Sequence, residues 1–151
     1  ARRGGRVVRH EEKARHLRCA RSAAHSGTNG VVVAQGEVWW ADLPDPIGPG
    51  PGYPRPVVVV QGDSINQSRI ETAVCVPLTT TQRWANAPGN VMLSARLTGL
   101  PKDSVANVSQ IIALDKSLLR DRAGKLSRAK IELLLSGIDV LLGRRMPLNL
   151  D

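Results

Sequence analysis

The chain has 151 residues, 42% of them hydrophobic, which suits one domain with a single core; with no Phe, one Tyr and three Trp, that core has to be Val, Leu, Ile and Ala, a composition that favours strands. The net charge of +8 is concentrated at one end, since residues 1–30 carry eight Arg and Lys against two Glu, so the basic balance is only a weak pointer to a polyanion partner for the remainder. Two cysteines, Cys19 and Cys75, supply neither a disulfide framework nor a metal site, and the absence of a long apolar run or a secretory signal makes a cytoplasmic protein without a membrane the expectation.

Residues 1–30 read as a basic, disordered N-terminal extension: they are Arg-rich, lack apolar periodicity and end in Ser-Gly-Thr-Asn-Gly. The texture changes at Val31, and residues 31–145 read as the folded domain, with 146–151 as a tail. Glu37 to Leu43 predicts the first strand. Pro44 to Pro54, with five prolines and three glycines, predicts a loop able to act as a lid. Val57 to Val60 predicts a strand buried on both faces. Thr72 to Leu78 predicts a third strand, Asn90 to Leu93 a fourth and Ser104 to Val108 a fifth, with Ile111 to Leu114 continuing it or forming another. Asp115 is placed to cap one helical turn over Lys116 to Leu119. Ser127 is a good N-cap for a helix whose apolar stripe runs Ile131, Leu134, Leu135, Ile138, Leu141, Leu142, and Gly143 suits its C-cap. Short strands, Gly/Pro turns and one terminal helix imply a mainly β fold, a small barrel or bent sheet with the helix over an open side.

All three histidines (His10, His16, His25) fall in the N-terminal extension. Histidine acid–base catalysis, a Ser-His-Asp triad and a histidine metal cage are therefore unavailable to the folded body. There is no phosphate-binding glycine loop; the glycines at 48, 50 and 52 alternate with prolines, which lack the N–H groups needed to cradle phosphate. What remains is polar residues at strand ends. Arg55 sits between Pro54 and Pro56, and Thr79, Thr80 and Thr81 follow the third strand. If the second and third strands are neighbours, Arg55 and these threonines line one sheet edge, and guanidinium and hydroxyl donors suit a phosphate. Taken alone, Arg55 reads as a surface arginine and the threonines as turn residues.

Five local strings, in order, resemble the MazF/PemK toxin family: Gly36-Glu-Val-Trp-Trp-Ala-Asp-Leu43; the Gly/Pro loop leading to Arg55-Pro-Val-Val-Val-Val60; Val76-Pro-Leu-Thr-Thr80; Leu100-Pro-Lys-Asp-Ser-Val-Ala-Asn-Val-Ser-Gln-Ile111; and Asp115-Lys-Ser-Leu-Leu119. The likeness spans about Val31 to Arg144. It implies an SH3-like barrel of five to seven strands with a C-terminal helix packed on it, usually a homodimer. It also implies the toxic half of a type II toxin–antitoxin pair, a sequence-specific endoribonuclease cutting single-stranded RNA. Carried over by position, the catalytic arginine is Arg55 and the catalytic hydroxyl is Thr79. Thr80, Gln82, Ser104, Asn107 and Gln110 are then the RNA-binding candidates.

The resemblance further implies cleavage by the RNA's own 2′-hydroxyl, giving a 2′,3′-cyclic phosphate and a 5′-hydroxyl, with no metal or cofactor. Arg55 then stabilises the charge growing on the phosphate and serves as a proton donor to the leaving oxygen. A guanidinium keeps its proton, so it is a poor general base. Trp39 and Trp40 are candidates for stacking a base, although on a strand they point to opposite faces. The expected protein partner is a cognate antitoxin with an acidic, disordered segment. The alternative is a non-enzymatic toxin of the same superfamily, resembling CcdB, which binds DNA gyrase; the arginine-proline step and Val-Pro-Leu-Thr argue against it. A non-catalytic adaptor is disfavoured by the scarcity of aromatics for a peptide groove.

Overall fold

The computed structural model describes residues 31–44 and 53–145. The expectations for the basic extension, the C-terminal tail and most of the Pro/Gly loop (45–52) lie outside the described residues. Among those described, no helix is long and apolar enough to cross a membrane.

Seven strands form one curled antiparallel sheet: β1 (Glu37–Leu43), β2 (Tyr53–Val59), β3 (Thr72–Thr79), β4 (Val91–Leu93), β5 (Ser104–Ala106), β6 (Ile112–Asp115) and β7 (Leu119–Lys125). Their order is β4-β5-β3-β2-β1-β7, with β6 also paired to β3. Two one-turn helices, α1 (Asp63–Asn66) and α2 (Ala95–Thr98), lie between strands, and α3 (Arg128–Leu141) follows β7. This is the mainly β half-barrel with a C-terminal helix that the sequence implies.

Strand β2 begins earlier than its composition predicts. Tyr53, Pro54, Arg55 and Pro56 belong to the strand and pair with Leu43, Asp42, Ala41 and Trp40 of β1. The expected loop therefore gives up its last two residues, and Arg55 is a strand residue instead of a junction. Backbone polar groups alternate between the two edges of a strand. Val59 C=O accepts from Gly36 N on the β1 side, and Val60 N donates to Val74 O of β3. Pro54 and Pro56 share the parity of Val60, so their missing N–H groups face β3, where the ladder stops at the Val57–Pro77 pair. A proline there forfeits no ladder hydrogen bond.

Pro77 follows the same logic on the other edge of β3. The N-terminal half of β3 pairs with β6 up to Cys75–Ile112, and its C-terminal end pairs with β5 from Leu78–Ala106. Pro77 lies between these partners, and its carbonyl accepts from Asn107 N at 3.0 Å.

Helix α3 begins at Ser127, whose hydroxyl accepts from Lys130 N. Its Ile131 and Leu134 pack with Val38, Val58, Val76 and Leu78 on the helix-facing side of the sheet. Val57, Val59 and Cys75, on the other face, are fully buried too, so the central strands are enclosed by the curl of the sheet. Burial pushes the Cys75 thiol up to about 12.

Two close backbone approaches fix the curl. A Cβ on Gly99 would lie 2.1 Å from the Ala123 carbonyl oxygen, and one on Gly124 2.5 Å from that of Thr98, so α2 sits directly against β7. A Cβ on Gly137 would lie 2.0 Å from the Gly89 carbonyl oxygen, which brings α3 onto the chain entering β4. Only glycine fits at such contacts.

Strand β7 is not legible in the sequence. Its Arg120, Asp121 and Arg122 are exposed, and its pairing with β1 is broken by two register shifts. Ion pairs from Arg120 to Asp42 (2.6 Å) and from Arg122 to the buried Glu37 (2.7 Å) tie it to β1. The turn Lys116–Leu118 forms as expected, with the Asp115 carboxylate accepting from Ser117 N.

Candidate functional site

A cavity of about 320 Å³ opens at the end of the sheet where β2 and β3 lose their mutual pairing. Its apolar walls come from Trp40 of β1, Pro54 and Pro56 of β2, Leu78 of β3, and Leu100 and Pro101 of the turn after α2. Its polar residues are Arg55, Lys102, Thr79, Thr80 and Ser104. No carboxylate is among the described residues lining it. Two cationic and three hydroxyl-bearing residues among apolar walls have the chemistry that suits an anion.

Arg55 and Thr79 both line this cavity, and they hold corresponding positions on their strands. Val57 pairs with Pro77, and continuing two residues along each strand reaches Arg55 and Thr79, with both side chains on one face of the sheet. Arg55 is held on its other edge by pairing with Ala41. Among the described residues, no carboxylate forms an ion pair with Arg55. The Thr79 hydroxyl oxygen accepts from Thr81 N at 3.3 Å. That bond uses a lone pair and leaves the hydroxyl proton to be donated to a bound oxyanion.

The other expected contact residues divide into two groups. Thr80 and Ser104 line the cavity, although Ser104 is buried and its hydroxyl donates to the Lys102 carbonyl at 3.3 Å. Gln82, Asn107 and Gln110 do not line it. Gln82 opens the exposed turn Gln82–Asn86 that continues from Thr81. Asn107 is buried, and its side-chain oxygen accepts from Ser109 Oγ at 2.8 Å and from Asn90 Nδ2 at 3.5 Å. Asn90 in turn donates to Trp84 O and accepts from Val108 N. The Asn90–Asn107 pair thus braces the turn after Thr79 against β5. Gln110 lies on the turn Val108–Gln110 and is half-buried.

The two tryptophans separate as alternation requires. Trp39 is half-buried, and Trp40 is 36% exposed and forms part of the cavity wall. Lys102 is the polar residue of the site that the sequence does not single out. It stands inside a recognisable string, but only the fold brings the turn after α2 alongside β2 and β3. Among the described residues, no three His, Cys, Asp or Glu side chains cluster as a metal would require.

A family model described as "PemK-like, MazF-like toxin of type II toxin-antitoxin system" matches residues 34–142. The chain is similar to endoribonuclease MazF6 of Mycobacterium tuberculosis, 44% identical over 95 residues that span 63% of this chain and 83% of that one. It is also similar to endoribonuclease MazF of Staphylococcus epidermidis, 32% identical over 112 residues, 74% and 92% of the two chains. Among solved structures it resembles a mycobacterial endoribonuclease in complex with its cognate antitoxin, with TM-score 0.60 at 25% identity, covering 76% of this chain and 99% of that one. MazF from Deinococcus radiodurans shares the fold, with TM-score 0.63 at 20% identity over 75% and 98% of the chains. With a family model covering most of the chain and the fold to match, this protein belongs to the PemK-like, MazF-like toxins of type II toxin–antitoxin systems.

Proposed function

We propose that this chain is the toxin of a type II pair and an endoribonuclease that cleaves single-stranded RNA in the Arg55–Thr79 cavity. The observation that carries this reading is that Arg55, which has no carboxylate partner among the described residues, and Thr79, whose hydroxyl proton is available, line one cavity at the open end of the sheet. The related proteins named endoribonuclease support the same activity.

In the proposed reaction the 2′-oxygen of the RNA attacks the adjacent phosphorus. The O2′–P bond forms, the P–O5′ bond breaks, the 2′-proton passes to solvent, and a proton reaches O5′. The products are a 2′,3′-cyclic phosphate and a 5′-hydroxyl. Negative charge rises on the non-bridging oxygens, and Arg55 and Thr79 stabilise it where they already stand. Arg55 also suits a hydrogen bond to O5′ as the P–O5′ bond breaks, because a guanidinium donates and is not a base, and the proton that O5′ takes comes from solvent. Dependence on the 2′-hydroxyl makes DNA a non-substrate. Trp40 supplies an aromatic wall on which an unpaired base can stack. Thr80, Gln82, Ser104, Asn107 and Gln110 extend the RNA path from this centre, the last four chiefly by shaping the turns that border it.

The same reading gives the protein a cognate antitoxin that covers this basic end, in keeping with the antitoxin complex of the mycobacterial relative. It also gives a homodimer acting in the cytoplasm, where messenger RNA is translated. Incubating the full chain with RNA in excess EDTA tests the activity: discrete fragments are expected, and intact RNA contradicts the proposal. A gyrase-binding toxin would leave the RNA intact.

A further inference from the structure

Lys102 lines the same cavity as Arg55 and Thr79, and the turn that carries it is built in a way that keeps its charge available. The adjacent carboxylate, Asp103, is committed elsewhere: it accepts from Ala95 N at 2.7 Å, at the first turn of α2. Ser94, which precedes that helix, makes no capping bond with its side chain, so Asp103 takes the role. Among the described residues no ion pair engages Lys102. Its backbone is held on both sides. Ser104, buried at the start of β5, donates its hydroxyl to the Lys102 carbonyl at 3.3 Å. Upstream, Leu100 is buried in the core, and Gly99 lies against the β7 backbone.

We propose that Lys102 is a second phosphate-contacting cation of this site, meeting the same phosphodiester as Arg55 through another non-bridging oxygen. The inference rests on the RNA-cleavage reading above. A phosphodiester carries one negative charge in the ground state, and attack by the 2′-oxygen builds more on its non-bridging oxygens. A first cation matches the ground state, and a second gains most in the transition state, where it raises turnover more than binding. Lysine suits this place as a point charge, whereas Arg55 supplies the planar fork.

Two measurements on the full chain decide it, using Lys102→Gln, Lys102→Arg and Arg55→Ala. The first is the salt dependence of binding to a random-sequence pool of fully 2′-O-methylated RNA, which binds but cannot be cut through its own hydroxyl. Each lost phosphate contact lowers the slope of log K against log salt by about 0.7 on single strands. Lys102→Gln is expected to show that loss and Lys102→Arg to retain the wild-type slope. The second is kcat on total bacterial RNA, expected to fall about 100-fold in Lys102→Gln at an unchanged melting temperature and to recover in part in Lys102→Arg. A wild-type slope in Lys102→Gln overturns the proposal. A lowered slope with wild-type turnover overturns the assignment to the scissile phosphate. If the wild-type protein cuts no RNA but Lys102→Gln still lowers the slope, the phosphate contact stands and the nuclease reading falls. Cleavage that is lost in Arg55→Ala but full in Lys102→Gln, with a wild-type slope, does the reverse.

Discussion

Arg55 of β2 and Thr79 of β3 each lie two residues past the last paired step of their strands, Val57–Pro77, and both line the cavity where the strands part. Pairing on their outer edges, Arg55 with Ala41 and Thr79 with Val105, still fixes both backbones where the two strands part. Arg55→Ala is expected to lower cleavage by about 100- to 1000-fold, and Thr79→Ala by less, with melting temperatures within about 2 °C of wild type. Arg55→Lys is expected to be nearly as damaging as Arg55→Ala, because the fork is lost while the charge remains. Kinetics and thermal melts on the same preparations check this.

The helix contributes to stability through one stripe. Leu134 is fully buried, and its neighbour Leu133 is 51% exposed. Leu134→Ala should destabilise the fold by about 2–5 kcal/mol, through lost burial plus the cavity it leaves. Leu133→Ala should stay within about 0.5 kcal/mol of wild type. Urea titration of the two variants side by side distinguishes them, and equal effects would mean that the helix is rotated from its described face.

Gly137→Ala sets two effects against each other. Within α3, alanine is favoured over glycine by about 1 kcal/mol in intrinsic propensity. The added Cβ would lie 2.0 Å from the Gly89 carbonyl oxygen, a contact that cannot persist without moving the helix. The clash should win, so the expected outcome is a lower urea midpoint. A raised midpoint would show that α3 and the chain entering β4 are not in contact.

Asp63 gives a pH dependence whose sign follows from its partners. The backbone N–H of Gln35 donates to its carboxylate at 2.7 Å and Asn66 Nδ2 at 3.3 Å, and these bonds hold its carboxyl below the ordinary value of 3.8. A carboxyl depressed in the folded state stabilises that state fully above its unfolded value, and the contribution fades as pH falls through the folded one. Wild type should therefore be more stable than Asp63→Asn at neutral pH, and the gap should close only below pH 3.8. Urea midpoints of both proteins measured from neutral to acidic pH check this; a gap that is constant with pH would contradict it.

Burial of the Cys75 thiol leads to a reactivity prediction. Pushed up to about 12 and enclosed between β2 and β6, it should not react with an aromatic disulfide reagent until the chain unfolds. Labelling that tracks the unfolding transition is expected, and rapid labelling of the folded protein would place the strand at the surface. The measurement is best made on Cys19→Ser, which leaves Cys75 as the one thiol of the sequence.

The parts of the fold legible in the sequence are those where one physical pattern acts alone. The α3 stripe from Ile131 and its Ser127 cap are a 3.6-residue period with a hydrogen-bonding start, and the structure keeps both. Strands β1 and β3 are apolar enough to be recognised directly. Strand β2 was legible only from Val57 onward, because the Pro/Gly run through Pro54 read as loop and Pro56 as the opening of the strand; what matters is which edge their missing N–H groups face, and that depends on a neighbour distant in sequence. Strand β7 was not legible at all. Its Arg-Asp-Arg run shows no alternation because it forms an outer strand tied to β1 by pairing and ion pairs rather than by burial. In the site, Arg55 and Thr79 could be picked out as residue types at strand ends. Lys102 could not, since a lysine in a turn has no local signature and acquires its place from the packing of α2 against β7.

The most direct test of the central claim is the chemistry of the RNA ends left by the full chain in excess EDTA. The account predicts 5′-hydroxyl ends that a polynucleotide kinase labels without prior phosphatase, partnered by 2′,3′-cyclic phosphates, and no such ends with Arg55→Ala. Cleavage that leaves 5′-phosphates, requires a divalent ion, or persists at full rate in Arg55→Ala would contradict it.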